Sequence, residues 1–168
     1  EAVEHVRSRE WNRENFPGVM LNKKTLGVVG CGRIGSWVAR YGVAFGMRVV
    51  GYDPKVEKWP DHIEPVSLER LMSEADVISV HVHLTRETDG MIDRSLLESV
   101  KSGAIIINTS RANIVDELAL LDGLKCGRIG GVGLDVLSGE PDIQDHPLVE
   151  YSRANSNLII TPHCGGYS

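Results

Sequence analysis

The sequence predicts an α/β fold of the doubly wound kind: a six-stranded parallel sheet with helices on both faces. Three observations predict it. Six short apolar runs rich in β-branched residues recur along the chain. They are continuous rather than alternating, as strands buried on both faces are. Capped helical stretches stand between them, so strand and helix alternate, the pattern of a parallel sheet.

The strand runs are "TLGVVG" (25–30), "RVVGYD" (48–53), "VISVHV" (77–82), "AIIINTS" (104–110), "IGGVGLDV" (129–136) and "LIITPH" (158–163). Helical patterns fill 34–45, with Ile34, Val38, Tyr41 and Phe45 before Gly46, and 67–74, opened by Ser67. Two more fill 93–101, opened by Asp93, and 116–126, opened by Asp116 and closed by Gly127. The segment "LSGEPDIQDHPLVEYSRANSN" is polar and contains proline, and reads as a long surface loop with room for one short helix. Loops of that length in a compact domain tend to carry function.

The chain has 168 residues, enough for one domain with a full core. A net charge of −5, with no block of Lys and Arg, argues against a general nucleic-acid partner. Cys31, Cys126 and Cys164 have neither disulfide nor zinc spacing, which fits a reducing, cytoplasmic setting and predicts no metal site. No apolar run is long enough to span a membrane, and none reads as a signal peptide. The chain opens without Met inside what reads as a charged helix, so the expectation is a piece of a longer polypeptide.

The stretch "GVVGCGRIGSW" sits at the first strand-to-helix junction. Gly30 permits the tight turn, Gly32 lets the backbone approach a pyrophosphate, and Gly35 allows close packing of helix on strand. The helix N-terminus offers unpaired N–H groups to the phosphates. Glycine corners are common, so Asp53 decides the reading. It ends the second strand, 18 residues beyond Gly35, where a carboxylate can accept from both adenosine ribose hydroxyls. The pattern predicts a dinucleotide site. Because Asp53 would repel a 2′-phosphate, it predicts NAD rather than NADP.

If the six strands take the order 3-2-1-4-5-6, the crevice opens between the runs at 25–30 and 104–110. "NTSRAN" follows the latter, so Arg111 stands at its mouth. The fifth strand ends in Asp135 and leads to Glu140, and the sixth leads to His163. An arginine fork can bind a carboxylate bidentately, and an imidazole exchanges protons near neutral pH. Glu140, bonded to the other ring nitrogen, would fix the tautomer and support the imidazolium. Such a set suits hydride transfer between nicotinamide and C2 of a 2-hydroxy or 2-oxo acid. Singly, Arg111 reads equally well as a surface charge and His163 as a turn residue, and Glu140 reads better as loop decoration. Their shared sheet edge favours the joint reading.

In "LNKKTLGVVGCGRIG", "GMRVVGYDP", "HVHLTRETDGMID", "INTSRANIVDELALLDGL", "GVGLDVLSGEP" and "TPHCGG", in that order from about Trp11, the chain resembles the nucleotide-binding domain of the D-isomer-specific 2-hydroxyacid dehydrogenases. The resemblance implies that Arg111, Glu140 and His163 are the catalytic set. It implies cofactor contacts at Arg33, Ile34, Asp53, Val82, Thr109, Ser110, Arg111, Asp135 and the His163–Gly166 turn, Gly165 included. It further implies a 2-hydroxy or 2-oxo acid substrate, 3-phosphoglycerate among the candidates, and a homodimer formed through the cofactor domain near Trp11.

The whole chain, 1–168, then reads as an NAD-binding domain with residues 1–20 as connecting helix and loop. The family's separate substrate domain is absent from it, so turnover by this segment alone is not expected. Three departures stand out. His83 replaces the family's usual proline, Arg111-Ala112-Asn113 replaces Arg-Gly-Gly, and Gly165-Gly166 is expected to loosen the turn after His163. His81 with His83 could suggest a metal pair, a reading the sequence does not favour. Two other functions compete. An NAD-responsive corepressor scaffold would share the fold and the Arg-Glu-His set. An adenosylmethionine methyltransferase would share the glycine loop, but would leave Arg111 and His163 without a task.

Overall fold

The computed structural model describes residues 2–166, so Glu1, Tyr167 and Ser168 of the expected domain lie outside the described residues. The helices are α1 (Ala2–Arg7), α2 (Arg33–Ala44), α3 (Leu68–Glu74), α4 (Arg94–Ser99), α5 (Glu117–Lys125) and α6 (Pro147–Ser152). The strands are β1 (Thr25–Val29), β2 (Arg48–Tyr52), β3 (Glu64–Pro65), β4 (Val77–Val80), β5 (Ala104–Asn108), β6 (Ile129–Leu134) and β7 (Leu158–Ile160). All pair in parallel, in the order β3-β2-β1-β4-β5-β6-β7.

Seven strands correct the expected six. β3 is two exposed residues long and contains proline, so it leaves no apolar run to read. It pairs Val50 with Glu64 and Gly51 with Pro65, and Arg48 fixes the edge with two hydrogen bonds to Glu64 at 3.0 and 2.7 Å. The extra strand also corrects the placement of the crevice. The neighbour of β1 is β4, not the strand at 104–108, so the switch of direction falls between β1 and β4. Arg111 follows a strand one place further out.

Capping matches the expectation at three helices. Ser67, Asp93 and Asp116 each accept the N–H three residues on, at 3.2, 2.9 and 2.9 Å, which satisfies donors a helix start leaves unpaired. Helix α2 packs differently from its apolar spacing. Its buried positions are Gly35, Ala39 and Gly42, whereas Ile34, Trp37, Tyr41 and Phe45 are exposed. A Cβ at Gly42 would stand 2.6 Å from Leu26, so small residues bring this helix down onto β1 and leave its large ones outside.

Two cores flank the sheet. One joins Val29, Val50, Ile78, Ile106 and Val132 to α3, α4 and α5; the other joins Leu26, Val28 and Val49 to Ala39 of α2. Fully buried Leu71, Ile78, Ile106 and Leu120 each contribute about 1.5–3 kcal/mol. Helices thus cover both faces along β1 and β2. Along β5 to β7 the second face carries exposed Ile105 and Ile159.

Candidate active site

The cradle forms where β1 and β2 end side by side, Val29 opposite Tyr52. Gly30 donates its N–H to the Tyr52 carbonyl at 2.8 Å and takes φ 89°, in the left-handed region that glycine tolerates. A Cβ there would lie 2.7 Å from Val82 and 2.8 Å from the His81 backbone, so β4 closes directly onto the loop. At Gly35 a Cβ would stand 1.9 Å from the Gly30 carbonyl oxygen, whereas at Gly32 it would meet nothing within 4 Å. Gly32 is also the N-cap of α2 and supplies no capping side chain. One glycine turns, one packs, and the one between faces open space beside uncapped N–H groups, as a pyrophosphate requires. Arg33 and Ile34 lie exposed in this first helical turn.

Asp53 lies one residue beyond β2. Its carboxylate accepts the N–H of Cys31 and of Lys55, both at 2.9 Å, and so stands against the glycine loop with lone pairs to spare. Cys31 points the other way, into the core. Burial, then the charge of Asp53, pushes its thiol up to about 12. It packs rather than reacts.

A crevice of about 300 Å³ opens between Ile34, the 81–84 segment and Thr109 to Arg111. Buried Asn108 shapes its far wall. Its Oδ1 accepts from Ser110 N–H and Oγ–H, and its Nδ2 donates to the Arg111 carbonyl at 2.9 Å. Arg111 is exposed and donates to the Ser110 carbonyl at 2.6 Å, without a bond to Glu140 or His163. His81 is partly buried beside Ser79 Oγ at 2.8 Å, and desolvation lowers it from its ordinary value. The His83 carbonyl accepts from Thr88 Oγ1 at 2.6 Å, so the loop that lacks the family's proline is still fastened, and its side chain lines the crevice.

The third part of the site lies beyond β6 and β7. His163 Nδ1 and Glu140 Oε1 are 2.6 Å apart, so these two do meet. The turn that carries His163 hangs on Asp135, which is 95% buried. Its Oδ1 accepts from the Thr161 hydroxyl and from Cys164 N–H at 3.0 Å, and its Oδ2 from Gly165 N–H at 2.8 Å. Burial works to raise this carboxyl, but the Thr161 hydroxyl and the Gly165 and Cys164 amides outweigh it and hold it below the usual carboxylate value. The turn is therefore fastened at Gly165, against the expected loosening, and a Cβ there would press on Asp135 at 2.9 Å. On the outer side of His163 an apolar groove of about 790 Å³ runs between Leu137, Ile143, Val149 and Ile160.

Sequence reasoning missed Asn108 as the organiser of the Arg111 loop. The signal was present: Asn-x-Ser after a strand suits an Asx turn. It also treated Asp135 only as a cofactor contact, although its carboxylate already serves the His163 turn. Among the described residues no helix is long and apolar enough to cross a membrane, and no three acidic, histidine or cysteine side chains cluster as metal ligands do.

Residues 1–165 match the family model for the D-isomer specific 2-hydroxyacid dehydrogenase, NAD binding domain. The chain is 43% identical over 168 residues to a D-3-phosphoglycerate dehydrogenase of Mycobacterium leprae, covering 98% of this chain and 31% of that one. It is 42% identical over 175 residues to a glyoxylate reductase of Korarchaeum cryptofilum, covering 100% of this chain and 52% of that one. A D-lactate dehydrogenase of Aquifex aeolicus, solved with NAD and lactic acid, superposes with a TM-score of 0.90 at 37% identity, covering 99% of this chain and 54% of that one. The chain thus spans about a third to a half of these relatives. A glycine cradle with an acidic partner, the ordered strand-end motifs and a match over almost the whole length place this chain in the D-isomer-specific 2-hydroxyacid dehydrogenase family, as its NAD-binding domain.

Proposed function

We propose that the chain serves an NAD-dependent oxidoreductase that interconverts a D-2-hydroxy acid and its 2-oxo acid. The observation that carries this reading is the 2.6 Å hydrogen bond between Glu140 and His163, on the same sheet edge as the glycine cradle. Gly32 and Asp53 would hold NAD, which would supply the hydride acceptor. Val82, Thr109 and Ser110 line the crevice that would take its nicotinamide end, and Asp135 fastens the wall beyond it. Arg111 binds the substrate carboxylate with its planar fork and polarises the neighbouring carbonyl. With Nδ1 engaged by Glu140, His163 presents Nε2 to the substrate oxygen, giving a proton in reduction and taking it in oxidation.

The relatives differ in the substrates their names give, so 3-phosphoglycerate stands as one candidate among several small 2-oxo acids. They are dehydrogenases and reductases, which disfavours the corepressor reading, and the family match disposes of a methyltransferase. In our reading a substrate-binding domain outside these residues supplies the facing wall. We assign the pairing of two copies to exposed apolar side chains away from the crevice: Trp37 and Tyr41 of α2, Phe45 just beyond it, and Trp11. Three unpaired thiols suit a cytoplasmic setting.

The experiment is a pair of measurements on the purified chain: NAD affinity, and NADH oxidation with a panel of 2-oxo acids. Binding without oxidation is expected, because orientation by a second wall contributes about 7–11 kcal/mol to a well-held reaction. Robust turnover by these residues alone contradicts the need for that wall. In a polypeptide carrying both domains, His163→Ala lowers oxo-acid reduction about 10²–10⁴-fold and changes NAD affinity far less. Retained activity contradicts the role given to His163.

A further inference from the structure

A second polar cluster lies outside the cofactor cradle. Glu117, the first residue of α5, turns its carboxylate back toward the loop that follows β6. There it accepts from Ser138 N–H at 3.1 Å, from the Ser138 hydroxyl, and from His146 Nε2 at 3.2 Å. The Glu117 and His146 side chains are both close to nine-tenths buried.

The cluster contains a serine, a histidine and an acid, but it cannot work as a hydrolytic triad. His146 Nδ1 already accepts the Leu148 N–H at 3.2 Å as the N-cap of α6, so its proton sits on Nε2 and goes to Glu117. The Ser138 hydroxyl also gives its proton to Glu117. No imidazole nitrogen is left to act as a base toward serine.

What the cluster does follow is chain geometry. Ser138 and His146 bracket the loop segment that holds Glu140, and both converge on one carboxylate. Within the bracket Glu140 is tied to Leu137, which donates to Glu140 Oε2 and accepts from its N–H, each at 3.4 Å. Leu137 is buried and directly precedes the clamped Ser138. Long bonds of this kind position a side chain only when the backbone between them is held. On the other side, Glu117 stands six residues after Arg111, beyond a short turn tied to the segment before α4: Ile92 donates its N–H to the Ile114 carbonyl and its carbonyl accepts from Asp116 N–H, each at 3.0 Å. One carboxylate thus joins the segment that carries Arg111 to the loop that carries Glu140.

We propose that Glu117 is a positioning residue for the Glu140–His163 pair, acting through a clamp with Ser138 and His146. This rests on reading Glu140 and His163 as the acid–base pair. The alternative is a clamp that only stabilises the fold, so the test must read the imidazole itself.

The experiment reads the hydrogen bond itself, by NMR of the His163 ring nitrogens on the purified chain at one fixed pH. Glu140→Gln tests the pair, and it is expected to shift the Nδ1 resonance, which reports the bond to Glu140. Glu117→Ala is expected to shift it the same way by at least half as much, because Glu140 is no longer held at its partner. Glu117→Gln keeps an oxygen for Ser138 N–H but offers nothing to the His146 proton, so a smaller shift is expected. If Glu140→Gln shifts the resonance and both Glu117 variants leave it at the parent position, the clamp is structural only and the proposal is overturned. If Glu140→Gln shifts nothing, the pair itself is misread and the proposal falls with it. Should Glu117→Ala fail to fold, Ser138→Ala reads the same coupling, with a shift in support and none against.

Discussion

The two halves of the site are built in different ways. Around the cofactor cradle the groups are mainly backbone: Gly30 and Gly32 between β1 and α2 and Gly35 in the first turn of α2, pinned by the ends of β2 and β4. Around His163 the proposed working groups are side chains on three separate loops, each with its own support: Asn108 for the Arg111 loop, Asp135 for the His163 turn and Glu117 for the Glu140 loop, across sequence separations of up to 30 residues. Close-packed backbone leaves no room for an added Cβ at Gly30 or Gly35, while a site made of tethered loops loses function by degrees. That contrast orders the expected effects of substitution.

The largest belongs to Gly35. A Cβ there meets a carbonyl oxygen at 1.9 Å, and neither backbone can yield. Gly35→Val should cost about 3 kcal/mol of stability, the upper range of overpacking, and abolish NAD binding. Thermal unfolding and calorimetric titration measure both, and a variant with parental Tm and affinity would break the contrast.

Asp135 should show the graded response. In Asp135→Asn one oxygen is replaced by a donor that faces other donors, at a cost of about 1–3 kcal/mol. Because the carboxyl is held below its usual value, its contribution is fully present above the ordinary carboxylate pKa of about 3.9. It is lost as pH falls through the lowered value. The stability difference between parent and variant should therefore stay constant from pH 5 to pH 8 and shrink only below about pH 4, as followed by denaturant unfolding. A difference that disappears near neutrality would show that the turn does not hang on this group.

The smallest effect belongs to Cys31. Burial, then the charge of Asp53, pushes its thiol up to about 12, so almost no thiolate is present near neutral pH. Iodoacetamide at pH 8 should label exposed Cys126 and Cys164 and spare Cys31, as read by mass spectrometry of the labelled peptides. Rapid labelling of Cys31 in the native chain would mean that the cradle opens far more readily than its packing implies.

The same contrast explains what could be read from sequence. Gly30, Gly35 and Asp53 were legible because each acts within one strand-turn-helix unit, where spacing encodes geometry. The strands were legible as apolar runs, apart from β3, whose pairing depends on Arg48 and Glu64 rather than on hydrophobicity. The order of the crevice strands failed for that reason alone. Arg111, Glu140 and His163 could be assembled only through their common sheet edge and the family's motif order. Their supports stayed hidden. Glu117 and His146 look like ordinary helix-start residues until the fold brings α5 against the loop after β6, and Asp135 reveals its turn-holding role only through Thr161, Cys164 and Gly165.

In the proposed cradle Asp53 reads the adenosine ribose. Calorimetric titration of the purified chain with NAD and with NADP, for the parent and for Asp53→Ala, tests this role. At about 5 Å, the repulsion between Asp53 and a doubly charged 2′-phosphate is on the order of 2–7 kcal/mol for an effective dielectric between 20 and 80. NAD should therefore bind at least about tenfold more tightly than NADP, and Asp53→Ala should narrow the gap by weakening NAD and strengthening NADP. Equal binding of the two cofactors by the parent chain would contradict the account.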